Sequence, residues 1–174
     1  MMIEFILGGA RSGKSALAEQ KAIASGLAVT YIATADPLDL TEDKEMLARI
    51  EHHRAQRPAE WLLVEEPRYL ATLLKTLAAP EKLLLVDCLT LWLSNLLHQD
   101  EVLKETQALL DVLPTLPGHV ILVSNEVGMG IVPLGELTRR YVDEAGRLHQ
   151  NIAALADSVT FVAAGIPLQL KPQP

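Results

Sequence analysis

Short apolar runs alternate with longer stretches of helix formers along this chain. Residues 2–7, 28–33, 61–65, 82–87, 120–124 and 158–164 are each rich in aliphatic, β-branched or aromatic side chains, and each is short enough for a buried strand. Between them, residues 16–24, 41–57, 68–77, 89–97, 101–113 and 136–157 read as helices. Their punctuation agrees. Thr41 caps a helix with acids in its first turn, Pro58 stops it, Pro67 opens the next, and Pro114 and Pro117-Gly118 close another. The tail, Pro167-Leu168-Gln169-Leu170-Lys171, predicts a short edge strand. About five βα repeats predict an α/β domain with a mostly parallel sheet and helices on both faces. The helix at 89–97 is apolar on nearly every side, which predicts core or a subunit contact.

The first strand leads into Gly8-Gly9-Ala10-Arg11-Ser12-Gly13-Lys14-Ser15, and a helix follows. This is the G-x-x-x-x-G-K-S pattern in the strand–loop–helix setting that it requires. The glycines let successive N–H groups point at phosphate oxygens, and the helix N-terminus adds positive potential. The Lys14 ammonium reaches the β- and γ-phosphates, and the Ser15 hydroxyl ligates Mg²⁺. The four aliphatics of 83–86 ending in Asp87 supply the matching acid, a second ligand for Mg²⁺. The substrate is therefore a nucleoside triphosphate. The motif does not say what becomes of it.

Composition narrows the setting. The chain has 174 residues, 49% hydrophobic and 21% charged, as expected for a single folded domain spanning 1–174. A net charge of −7 argues against general nucleic-acid binding. Apolar runs are interrupted well before the roughly 18 residues of a membrane span. A lone cysteine, Cys88, forms no internal disulfide, and strand and loop begin so early that no room is left for a signal peptide. A cytoplasmic protein is expected.

Loops that follow parallel strands gather at the ligand-binding edge. Thr34 and Asp36 are placed there, near the nucleotide or merely ending a strand, as are Glu65 and Glu66. So is the glycine-bearing loop Asn125-Glu126-Val127-Gly128-Met129-Gly130-Ile131-Val132-Pro133. On the helix over 41–57, about 100° per residue puts Met46, Ile50, His53 and Arg57 on one stripe. His52 points off that stripe, beside Ala48. Arg49, Arg54 and Arg57 gather around His53, and a neutral imidazole among guanidinium groups suits attack on phosphorus. His52 remains the second candidate.

Four segments resemble the bifunctional adenosylcobinamide kinase / adenosylcobinamide-phosphate guanylyltransferase family. They are the phosphate loop, Gly8 to Ser15; Arg49-Ile50-Glu51-His52-His53-Arg54-Ala55-Gln56-Arg57-Pro58 with Trp61 and Glu65; Asp87-Cys88-Leu89-Thr90-Leu91-Trp92-Leu93-Ser94-Asn95-Leu96; and Ser124 to Pro133. The resemblance implies a RecA-like P-loop NTPase domain that assembles as a homotrimer. It implies phosphorylation of the aminopropanol hydroxyl of adenosylcobinamide, from ATP or GTP. It further implies transfer of GMP from GTP to an enzyme histidine, and from there to adenosylcobinamide phosphate, giving adenosylcobinamide-GDP. Carried over position by position, Gly8, Gly9, Ala10, Arg11, Ser12, Gly13, Lys14 and Ser15 hold phosphates. Ala33, Thr34, Ala35, Arg54, Ala55, Gln56, Arg57, Glu65 and Asp87 are further GTP contacts. The histidine directly before the arginine, His53, is the guanylylated one. The stretch Pro37-Leu38-Asp39-Leu40-Thr41 is longer than the link usual in that family. Two other readings compete: a small-molecule kinase whose histidines are idle, and a GTP-sensing module that does not turn over.

Overall fold

The computed structural model describes residues 1–36 and 58–172. The helix expected over 41–57, with Arg49, His52, His53, Arg54, Ala55, Gln56 and Arg57, lies outside the described residues, as does the whole of the long link before it, 37–41.

Seven strands form one sheet in the order β3-β2-β4-β5-β1-β6-β7. In chain order these are β1 (Met2–Gly8), β2 (Ala28–Ala33), β3 (Leu62–Glu65), β4 (Lys82–Asp87), β5 (His119–Asn125), β6 (Ser158–Ala163) and β7 (Ile166–Lys171). Every neighbouring pair is parallel except β6 and β7, which form an antiparallel hairpin. The edge strand expected from the tail is therefore present. The helices are α1 (Lys14–Ala24), α2 (Leu70–Leu77), α3 (Leu89–Gln99), α4 (Val102–Val112) and α5 (Glu136–Leu155). Gly146 does not break α5, because packing of the face carrying Ala145, Leu148 and Ile152 outweighs a glycine penalty of about 1 kcal/mol.

The sheet separates two cores. On one face Ile6, Tyr31, Leu83, Leu85, Ile121 and Val123 pack against Ala18 and Ala22 of α1. On the other, Phe5, Ile32, Val86 and Leu122 pack against the remaining helices, with Trp92 at 0% exposure near the centre. The apolar α3 thus faces the core. Its Trp92 indole N–H donates to the Arg68 carbonyl at 2.8 Å, so burial leaves no orphaned donor.

This strand order positions the site. β5 lies between β1, which carries the phosphate loop, and β4, which ends in Asp87. Sequence alone does not give that insertion, since β5 is more than thirty residues from β4 along the chain.

Candidate active site

The loop after β1 curls because two positions tolerate nothing larger than glycine. A Cβ on Gly8 would lie 2.4 Å from Ser12 Oγ and 2.6 Å from the Val162 carbonyl. Gly13 sits at φ +96°, against the backbone of Gly165 in the β6–β7 turn. That turn is tied to the loop by Gly165 N–H donating to the Ser12 carbonyl at 2.8 Å. Gly13 is also the N-cap of α1 and offers no side chain, so the first N–H groups of the helix stay unclaimed. An anion fits there.

Lys14 is buried at 8% exposure, and its Nζ donates to the Gly9 carbonyl at 3.2 Å. Among the described residues no carboxylate pairs with it. A desolvated ammonium bonded to one carbonyl is a counter-charge in want of an anion.

Side chains alternate across strands, so register shows which residues share the α1 face. Gly8, Ala33, Glu65, Asp87 and Asn125 each end a strand. Gly8 pairs with Asn125, and Ala33 pairs with both Glu65 and Asp87. Asp87 and Asn125 each lie two residues beyond Leu85 and Val123, which pack on α1. All five therefore lie along one end of one face, with Asn125 and Asp87 on the two strands next to the phosphate loop and Ala33 and Glu65 further out along the same edge. Ala33, Glu65 and Asp87 were expected from sequence; Asn125 was not singled out. Its loop was flagged, but the strand order that brings it beside Gly8 was not legible.

The expected Mg²⁺ suits this edge by donor chemistry. Asp87 Oδ2 accepts from Tyr31 Oη at 3.1 Å, and its other oxygen bonds none of the described residues. Magnesium is held by hard oxygens, commonly one or two carboxylates plus phosphates and waters, which matches one open carboxylate and the Ser15 hydroxyl. Among the described residues no cluster of three or more His, Cys, Asp or Glu offers a rival all-protein cage.

Thr34 belongs to the opposite face. At 0% exposure, its hydroxyl donates to the Cys88 carbonyl at 2.6 Å and accepts from Cys88 N–H at 3.1 Å, joining the ends of β2 and β4. Its carbonyl accepts from Asn95 Nδ2 at 2.8 Å. Ala35 and Asp36 instead border a cavity of about 370 Å³ shared with Arg68, Ser94 and His98. Burial, reinforced by the Asp87 charge, pushes the Cys88 thiol up, so it stays protonated.

A polar chain backs the site on that same opposite face. Ser124 Oγ lies 2.9 Å from His149 Nε2, and His149 Nδ1 lies 3.6 Å from Glu126 Oε2. Thr90 Oγ1 accepts from Asn125 N–H at 2.8 Å, and Tyr141 Oη donates to the Thr90 carbonyl at 3.1 Å. Burial pushes the Tyr141 phenol far above its ordinary range, which keeps it a neutral donor. Glu126 N–H donates to the Gly8 carbonyl at 3.1 Å, so this chain holds the end of β5 against the loop.

A parallel sheet with a phosphate loop, an open helix N-terminus, a buried lysine and a strand-end acid defines a P-loop nucleoside-triphosphate enzyme. Residues 4–170 match the CobU family, cobinamide kinase / cobinamide phosphate guanyltransferase. The bifunctional adenosylcobalamin biosynthesis protein CobP of Pseudomonas aeruginosa is 58% identical over 99% of both chains. The bifunctional adenosylcobalamin biosynthesis protein CobU of Salmonella typhimurium is 40% identical over 98% of this chain and 100% of its own. A solved Pyrococcus horikoshii OT3 protein, Project ID PH0250, is similar in fold alone: TM-score 0.57 and 9% identity, over 97% of this chain and 85% of that one. The chain belongs to the cobinamide kinase / cobinamide phosphate guanyltransferase family and is a bifunctional enzyme of that kind.

Proposed function

We propose that this enzyme phosphorylates adenosylcobinamide and then guanylylates the product through a histidine intermediate on His53. The observation that carries the nucleotide half is the buried Lys14, without a carboxylate partner among the described residues, beside an uncapped helix N-terminus. The family match, spanning nearly the whole chain, supports the acceptor.

In the first step the aminopropanol hydroxyl oxygen bonds to the γ-phosphorus of ATP or GTP. The bridge to the β-phosphate breaks, the nucleoside diphosphate leaves, and the hydroxyl proton is lost to solvent. In the second, a His53 ring nitrogen bonds to the α-phosphorus of GTP and pyrophosphate leaves. A phosphate oxygen of adenosylcobinamide phosphate then takes the GMP and breaks the N–P bond, which regenerates the histidine and gives adenosylcobinamide-GDP. Splitting the transfer makes each displacement easier. The backbone N–H groups of Gly9 to Lys14 and the Lys14 ammonium receive the charge of the phosphates, with Arg54 and Arg57 as further anion partners. Ser15 and Asp87 would hold Mg²⁺, which when bound neutralises phosphate charge. Ala33, Ala35, Gln56 and Glu65 complete the GTP contacts in this reading, with Thr34 contributing through its backbone.

We place the enzyme in the cytoplasm as a homotrimer. Support for assembly comes from the loop after β5, where Ile131 and Leu134 are each 97% exposed and Met129 79%. Such a run of open apolar side chains suits burial by a second copy.

Intact mass after incubation with GTP and Mg²⁺ tests the transfer. The wild type should gain one acid-labile GMP, and His53→Ala should not, while His52→Ala still does. Loss only in His52→Ala moves the nucleophile by one residue. No adduct on the wild type, with GTP bound, overturns the guanylyl-histidine route in favour of a plain kinase.

A further inference from the structure

Asn125 is the member of the strand-end group for which neither motif nor family resemblance supplies a role. Its position is tightly set. It ends β5, the strand inserted between the phosphate-loop strand and the Asp87 strand, and it pairs in register with Gly8. Backbone clamps fix it from both sides: its own N–H donates to Thr90 Oγ1 at 2.8 Å, and the next N–H, of Glu126, donates to the Gly8 carbonyl at 3.1 Å.

The side chain is another matter. Asn125 Oδ1 is buried with no hydrogen-bond partner, and Nδ2 donates to none of the described residues. The oxygen is thus turned inward, and the two N–H donors of Nδ2 are the unclaimed end of the amide, the end that suits an acceptor such as a phosphate oxygen. Nearby Ser124, on the other face, has its hydroxyl bonded to His149. The same strand end thus completes one polar side chain and leaves the next one open. The open one is on the face where the phosphate loop, Lys14 and Asp87 meet. Another orphan lies beside the same glycine: Ser12 Oγ is buried without a partner, next to where a Gly8 Cβ would be.

We propose that Asn125 is a further residue of the triphosphate site, its Nδ2 donating to an oxygen of the terminal phosphate and so holding the γ-phosphoryl group between the loop and Asp87. An amide fits this place better than a cation. It adds direction without adding charge between Lys14 and the metal-side acid, and it leaves the γ-phosphorus electrophilic for the acceptor hydroxyl. The contact goes to the γ-phosphate alone, so a diphosphate does not make it. The inference rests on the triphosphate-dependent reading above.

Equilibrium dialysis of GTP and GDP with wild type, Asn125→Ala and Asn125→Ser, all full chains with melting curves recorded, tests the contact. The expected result is about tenfold weaker GTP binding in Asn125→Ala with GDP affinity unchanged, the loss that one hydrogen bond to a charged group gives. The kinase kcat should fall with it, while intact mass still shows GMP transfer at saturating GTP. A shift of GTP and GDP by the same factor means that the residue only supports the fold and overturns the proposal, as does no shift of either. Asn125→Ser, smaller and still polar, serves if the alanine variant melts early. A wild type that binds neither nucleotide defeats the triphosphate reading itself, and is distinguishable from failure at Asn125.

Discussion

The α1 face of the sheet carries two polar clusters, one at each end, and they are built to opposite rules. At the start of β1, Glu4 is 4% exposed and fully answered: Lys21 of α1 bonds Oε2, and His119 Nε2 lies 2.9 Å from Oε1. Four residues further along the same strand, and roughly 13 Å away by strand rise, lies Gly8. There Lys14 of the same helix has no described carboxylate, and Ser12 Oγ and Asn125 Oδ1 have no partner. One strand and one helix thus carry a closed cluster and an open one. Buried polar groups are normally satisfied within the protein. The closed end obeys that rule and holds β1, β5 and α1 together; the open end leaves its hydrogen bonds for a ligand. Unmet demand, rather than polarity or burial, separates the site from the scaffold.

Removing the cation at the open end should have the largest effect. Lys14→Ala should lower both kinase turnover and GMP transfer by about 10²–10³-fold, the cost of losing one preorganised charge contact to a transferring group. Its melting temperature should hold or rise, since a buried ammonium without a carboxylate is relieved. Steady-state rates beside calorimetry check both halves. Activity within tenfold of wild type would remove Lys14 from the phosphate site.

Breaking the closed end should do the reverse. Glu4→Gln keeps the shape and deletes the charge: the amide oxygen still serves one of Lys21 and His119, and the other loses its acceptor and meets an NH2 group. The expected loss is about 1–3 kcal/mol of stability, or a few degrees to about ten in melting temperature for a chain of this size. The kcat of both steps should be unchanged in the folded protein. A variant that melts like wild type, or that loses turnover while folded, would dissolve the contrast between the two ends.

Local chemistry made much of this legible in the sequence. The phosphate loop, the aliphatic run into Asp87 and the prolines Pro67, Pro114 and Pro117 are short-range signals, and their elements formed nearly where expected. The strand order was not legible, because pairing β5 between β1 and β4 depends on contacts far apart along the chain. Asn125 was missed for that reason, although its loop was flagged. Glu4 was passed over as one polar residue in an apolar run, since nothing local announces Lys21 and His119 as its partners. Thr34 shows the converse limit. A threonine ending a strand looks available for a ligand until the neighbouring strand brings Cys88 against its hydroxyl.

A third cluster, behind the site, is intermediate between the two and should give the smallest effect. His149 Nε2 is answered by Ser124 at 2.9 Å, but Nδ1 is 3.6 Å from Glu126 Oε2 and makes no hydrogen bond. Burial pulls the His149 pKa below its ordinary value, and the Glu126 charge opposes this without cancelling it. The sign follows from proton counting. Below about pH 6.5 the unfolded chain takes up a proton at this histidine, while the folded protein resists until lower pH. His149 therefore contributes stability above that point and loses it as the pH falls through the folded value. Burial sets the size of the loss, and the Glu126 charge reduces it. Urea midpoints from pH 7.5 to 5 for wild type and His149→Gln isolate the contribution as the difference between two curves, in which the other histidines cancel. The wild-type curve should fall more steeply below about pH 6.5. Parallel curves would mean that Glu126 balances the burial in full and that this cluster is as closed as the one at Glu4.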